Sequence, residues 1–224
     1  MSEARMSGTS AIQVARERED VVVGDEIVRH RLSSRVIHWL VAVFFLTALF
    51  TGMAVWSPVF GWMANLFGGL SVVRWLHAWL GLAFVGAFSL MFVAWLGDMK
   101  FDQYDKKWNV VEYLKFTDKD DPNVGKYNAG QKFFFWAAGL GALALLLSGV
   151  VLWWPTEFSQ GLRSASIILH DLAFIAFFVA IVGHIYLSTA AEPGTFGSMT
   201  RGTVTKSWAK THHPRWFRDV TGRK

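Results

Sequence analysis

No cysteine occurs in the 224 residues. That absence excludes disulfides, Cys-ligated iron–sulfur clusters, covalent haem attachment and thiolate nucleophiles, so any redox centre must rest on other ligands. Charged residues make up only 17% of the chain, against 53% hydrophobic and 16% aromatic. This balance belongs to membrane proteins rather than soluble globular domains. Carboxylates are nearly missing from the long apolar runs. Asp171 is the only one within them, which excludes a relay built from a chain of membrane carboxylates. A signal peptide is not evident, because about the first thirty residues are polar and the first apolar run is long enough to span.

Four apolar runs are present, and they predict an all-α integral membrane protein, a four-transmembrane-helix bundle. The expected spans are about 36–56, 73–96, 132–154 and 167–190, each long enough to cross about 30 Å of hydrocarbon at 1.5 Å per residue. Pro58 stops the first and Pro155 follows the third. The uncharged stretch 59–72 holds three glycines and is too short to cross, so it reads as an interfacial loop or short helix. Residues 1–30 read as a mobile polar tail, 31–191 as the membrane domain and 192–224 as a basic tail.

The net charge of +5 would suit a nucleic-acid partner, but its distribution points to a bilayer. Of the 22 Lys and Arg, 20 lie in the amino-terminal region, the loop between spans two and three, and the carboxy-terminal tail; the other two connections keep Arg74 and Arg163 alone. The positive-inside rule therefore puts both termini and the middle loop in the cytoplasm.

This topology gives the histidines depths. His170 and His184 are fourteen residues apart on the fourth span, on one helix face and about 21 Å apart. His38, at the start of span one, shares the cytoplasmic depth of His184. His77, at the start of span two, shares the outer depth of His170. Imidazole is the commonest metal ligand. A zinc site would usually require further ligands, whereas haem supplies four nitrogens of its own and needs only two axial partners. The expected arrangement is two b-type haems, the outer held by His77 and His170 and the inner by His38 and His184. Arg74 and Arg35 each precede a ligand by three residues and so share its face, as candidate propionate partners. Gly52, Gly81 and Gly183 would let a flat macrocycle approach the backbone, although glycine also serves ordinary helix packing in membranes.

Two six-coordinate haems imply electron transfer rather than oxygen activation. The donor must then be a separate subunit, and a quinone is a natural acceptor. Asn128, Gly130 and Gln131 in KYNAGQK could hold a quinone, although Asn128 and Gln131 also have the spacing of a helix capping box. His30, His212 and His213 lie in polar flanks and receive no haem. THHPRWFRD suits a solvated basic tail, or a partner-docking or lipid-facing segment.

The pieces RVIHWL, RWLHAWLG, VGKYNAGQK, LHDL, GHIY and WAKTHHPRWFRD resemble the gamma, or cytochrome b, subunit of respiratory membrane-bound formate dehydrogenases over residues 29–220. The resemblance implies the same two haem pairs and a quinone, menaquinone or ubiquinone, at Asn128, Gly130 and Gln131 beside His184. It also implies an iron–sulfur beta subunit, a molybdenum- or tungsten-containing alpha subunit that oxidises formate, and a place in the bacterial inner membrane. The alternatives are the cytochrome b subunit of a hydrogenase or other membrane-bound oxidoreductase and, from another class, a transporter whose histidines relay protons.

Overall fold

The computed structural model describes residues 10–107 and 121–222. Four helices in it are long and apolar enough to cross a membrane. They are α2 (Leu32–Trp56), α3 (Leu70–Trp95), α4 (Ala129–Trp153) and α5 (Gln160–Tyr186), the last continuing as a π turn over Leu187–Ala191. Each begins before the apolar run that announced it, and at two of them a side-chain cap rather than hydropathy sets the start. Asn128 accepts the Gln131 amide at 2.8 Å at the head of α4, and Ser159 accepts the Leu162 amide at 3.3 Å at the head of α5. Between α2 and α3 the chain forms a 3-10 helix, Pro58–Phe67, opened by Ser57 and closed by Gly68 at φ 91°. Only glycine adopts that backbone readily.

The chain forms two compact units. One comprises Ile37–Val93 and Ala137–Gly183. Phe45, Phe84 and Phe177 pack at its centre, with ring centroids 5.0 to 6.0 Å apart. Glycine permits close helix approach here, since a Cβ at Gly141 would lie 2.8 Å from the Phe177 ring and one at Gly139 would lie 2.7 Å from Phe92. Outward positions are apolar as well; Leu90, Val93 and Leu140 are 67%, 71% and 70% exposed. An apolar outer face of this kind is stable against lipid and not against water.

The other unit contains residues up to Val36, then Ala94–Trp136, then His184 onward. Its structure corrects the reading of both flanks as tails. From Ser10 the amino-terminal region forms α1 (Ala11–Val14) and a hairpin of β1 (Val21–Val23) and β2 (Glu26–Val28). The carboxy-terminal region forms α6 (Gly197–Thr200), β3 (Thr203–Thr205), α7 (Lys206–His212) and α8 (Pro214–Thr221). β3 adds to the hairpin in an antiparallel sheet of order β1-β2-β3, with Ile27 opposite Val204. Ile27, Val204, Trp208, Ala209, Trp216 and Phe217 form its buried core. Each flank is too polar to bury a core alone, and the two supply one core jointly.

Candidate functional site

Three of the four expected ligands, His38, His77 and His170, lie in the first unit, where the structure brings two of them together. The rings of His77 on α3 and His170 on α5 have centroids 6.2 Å apart at an interplanar angle of 80°. The neighbouring helices fix both tautomers. His77 Nδ1 lies 3.0 Å from the carbonyl oxygen of Ala48 on α2; a carbonyl only accepts, so Nδ1 carries the proton. Ser148 on α4 donates its one hydroxyl proton to the Ala144 carbonyl at 2.6 Å, which leaves its oxygen to accept from His170 Nδ1 at 2.9 Å. In both rings Nε2 is therefore unprotonated and available to a metal, the arrangement that second-shell partners impose on metal-binding histidines.

Small residues make room for these rings. A Cβ at Gly52 would lie 2.9 Å from His77 Cε1, so no larger residue fits without displacing the imidazole. A Cβ at Gly149 would meet His170 at 3.5 Å, an ordinary contact. Gly81 and Gly183, also expected to accommodate a macrocycle, have open space around them. An imidazole nitrogen holds a metal at about 2 Å, so two rings on one iron have centroids roughly 6 Å apart. The observed pair has that spacing and the required tautomers, and it fits axial ligation of haem. Among the described residues no cluster of three or more His, Cys, Asp or Glu could hold a bare metal ion.

The sequence reading missed Thr51, Ser148, Gly149 and the Ala48 carbonyl. A signal for two of them was present, since Thr51 and Ser148 are polar residues buried within apolar helices, and polar groups in that setting need a reason. Each immediately precedes a glycine.

His38 on α2 meets the Trp39 ring edge-on, with centroids 5.4 Å apart. His184 on α5 stacks parallel to Phe134 on α4, with centroids 5.0 Å apart and an interplanar angle of 4°. Arg74 is exposed on α3. Arg35 is buried, and its guanidinium donates to the carbonyls of Thr200 at 2.8 Å and Ala15 at 3.5 Å. That engagement ties Arg35 to the folded flanks and weighs against a propionate role.

The quinone candidates stand at the head of α4. Asn128 and Gln131 make both reciprocal bonds of a capping box, at 3.0 and 2.8 Å, while Gly130 is buried. Each amide spends its oxygen on the cap, which leaves its NH2 group as a donor to a ligand. Both alternatives read from the sequence are thus compatible at the same residues. Lys132 is buried in the first turn, paired with Asp105 at 2.6 Å.

The loop before α4 is packed with groups the sequence reading set aside. Arg29 and His213 are 3% and 1% exposed. The Arg29 guanidinium lies against the rings of Trp208, Trp216 and Tyr127 at 4.9, 5.5 and 5.7 Å. Burial lowers its pKa to about 10, so it stays charged at neutral pH. Burial also raises the Tyr127 phenol and pushes the His213 imidazole well below its ordinary range, so both are neutral. His30 clusters with Trp95 and Tyr127, at ring distances of 5.8 and 6.0 Å.

Residues 29–202 match the family described as prokaryotic cytochrome b561. The cytochrome b556 subunit of formate dehydrogenase from Haemophilus influenzae is 32% identical over 198 residues, 86% of this chain and 83% of that protein. The cytochrome b556(fdo) subunit of formate dehydrogenase from Escherichia coli is 34% identical over 88% of this chain and 94% of its own. The nitrate-inducible cytochrome b556(Fdn) subunit of that organism is 35% identical over 87% and 91%. The chain belongs to the prokaryotic cytochrome b561 family, among the cytochrome b subunits of formate dehydrogenases.

Proposed function

We propose that the chain is the diheme electron-transfer subunit of a formate dehydrogenase complex, carrying electrons from an iron–sulfur subunit across the inner membrane to a quinone at the cytoplasmic side. The observation that carries this reading is the His77–His170 pair, with its 6.2 Å spacing and both Nδ1 protons committed to other helices. A second haem would rest on His38 and His184, by the matched depths that the basic residues define. When bound, haem supplies a one-electron couple with no open coordination position for oxygen.

The protein's residues then have distinct tasks. Ala48 and Ser148 hold the outer ligands in one tautomer. Gly52 keeps the His77 ring free to take its position, and Arg74 offers a cation where a propionate carboxylate would need one. At the other depth, Asn128 and Gln131 offer amide donors to the carbonyl oxygens of a quinone, and the buried Gly130 lets it approach the backbone. Quinone reduction at that side draws protons from the cytoplasm, and charge separates without a pump. The molybdenum or tungsten alpha subunit that oxidises formate and its iron–sulfur beta subunit would complete the complex, with both termini of this chain cytoplasmic.

Reduced-minus-oxidised spectra of the purified chain test the reading: b-type bands amounting to about two haems per chain are expected. His170→Ala should remove one haem. His184→Ala should remove the other together with quinone reduction. A chain without b-type bands would return the histidines to a transporter reading.

A further inference from the structure

The segment from His213 to Arg218, left without a task by the sequence, is bound to the loop that leads into Asn128. That loop, residues 121–128, has no regular ladder of its own, so its backbone groups need partners from elsewhere. They find them in the two flanks. Arg218 Nη2 donates to the Pro122 carbonyl at 2.8 Å. The backbone amides of Arg215 and Trp216 both donate to Val124, at 3.0 and 3.4 Å. His213 Nδ1 donates to Gly125 at 2.6 Å, and Arg29 Nη2 donates to Lys126 at 2.6 Å. Four carbonyls within five residues thus receive donors from outside the loop.

Side chains complete the frame. Lys126 pairs with Glu19 at 2.8 Å and Asp20 at 3.1 Å, and Asp20 also accepts from Trp216 Nε1 at 2.8 Å. Arg215 reaches Asp102 at 2.6 Å, and a Cβ on Gly125 would lie 2.6 Å from Arg215 Nη2. The loop is held by its backbone, and Asn128 at its end is tied through the capping box to Gln131 in the first turn of α4.

We propose that this frame, with His213 at its centre, positions the quinone-binding residues and sets quinone affinity; the inference rests on the assignment of quinone to Asn128, Gly130 and Gln131. Binding a ligand to a preorganised loop costs less ordering than binding it to a loose one. His213 is a positioning residue, reached by the ligand only through the backbone it holds. The two flanks, far apart in sequence, act on the site as one device.

The test uses the intact complex in membranes, with soluble menaquinone and ubiquinone analogues as probes, and compares His213→Leu, His213→Asn, Arg218→Gln and Asn128→Ala. Leucine keeps bulk and removes the donor; asparagine restores an N–H where Nδ1 stood. Loss of one buried hydrogen bond should weaken binding about tenfold in His213→Leu, read as KM and as the dissociation constant of the analogue. Haem bands should stay unchanged, and His213→Asn should recover most of the affinity. Arg218→Gln, a half-buried position outside the core, should weaken binding about threefold and decides the matter if His213→Leu does not assemble. Wild-type affinity in His213→Leu, or in Arg218→Gln where His213→Leu does not assemble, overturns the frame; weakened binding in Asn128→Ala then leaves the quinone assignment standing. Wild-type affinity in Asn128→Ala overturns that assignment, and the frame with it.

Discussion

At the scale of the residue, Thr51–Gly52 on α2 and Ser148–Gly149 on α4 do parallel work. In each pair the hydroxyl residue lies within hydrogen-bond reach of one histidine, Thr51 Oγ1 at 3.3 Å from His77 Nδ1 and Ser148 Oγ at 2.9 Å from His170 Nδ1, and the glycine adjoins that ring. The two glycines differ in tolerance. Gly52→Ala puts a methyl 2.9 Å from His77 Cε1, whereas Gly149→Ala puts one at an ordinary 3.5 Å from His170. Overpacking of the first kind costs about 1–3 kcal/mol. On the proposed diheme arrangement, Gly52→Ala is therefore expected to lower b-haem absorbance to about half, and Gly149→Ala to leave it unchanged. Ser148→Ala removes one of two acceptors of the His170 ring proton, the other being the Leu145 carbonyl. With haem held as proposed, His170 would become a less basic ligand, less able to stabilise oxidised iron. One haem should then titrate at a higher potential by a few tens of millivolts, with no loss of absorbance, as expected when part of a hydrogen bond of about 1 kcal/mol is felt differently by the two oxidation states. Potentiometric titration of the b bands measures this.

At the scale of the element, the sheet β1-β2-β3 makes the flanks a folded body. Ile27 is its most stringent position, fully buried on β2 opposite Val204 and packed in the core with Trp208, Ala209, Trp216 and Phe217. Ile27→Ala should destabilise this unit by about 2–5 kcal/mol, the range for such truncations in packed cores. Denaturant titration followed by tryptophan fluorescence would show it, and easier proteolysis after residue 192 should accompany it. The four long helices were legible because apolar runs of about twenty residues have one stable fate in a bilayer. Their starts were not, since Asn128 and Ser159 cap helices that begin outside the apolar run. Charge and spacing suggested pairing His77 with His170, and the structure puts their rings 6.2 Å apart. The flanks were hidden because three-residue strands carry almost no periodic signal, and because Ile27 and Val204 are apolar residues scattered among charges. Their pairing is a long-range event that no local window contains. His213 was hidden for the same reason, since the Gly125 carbonyl that accepts from its ring lies 88 residues away in sequence.

At the scale of the whole molecule, the two units are held by different forces and should respond differently to acid. The unit of Ile37–Val93 and Ala137–Gly183 is built from apolar helix packing. The other depends on ion pairs and on a neutral buried histidine. Burial holds the His213 pKa well below 6.5, so its contribution is fully present above that value and is lost as pH falls from 6.5 toward the folded-state pKa. Glu19 and Asp102 follow the same sign at lower pH. Burial alone would raise both, but Lys126 outweighs it at Glu19 and Arg215 at Asp102, leaving their pKa values below 4.5 and 3.8. Stability from these pairs is present above those values and lost as pH falls through the lowered ones. Acid should therefore loosen this unit in two steps, the first below pH 6.5 and the second below pH 4.5. Trp208 and Trp216 flank His213, so tryptophan fluorescence of the complex should report the first step. His213→Asn keeps a donor to Gly125 without a titrating ring, and it should abolish the first step while leaving the second. A variant that titrates like the wild type between pH 6.5 and 5 would assign the first step to another group and deprive His213 of its part in acid sensitivity.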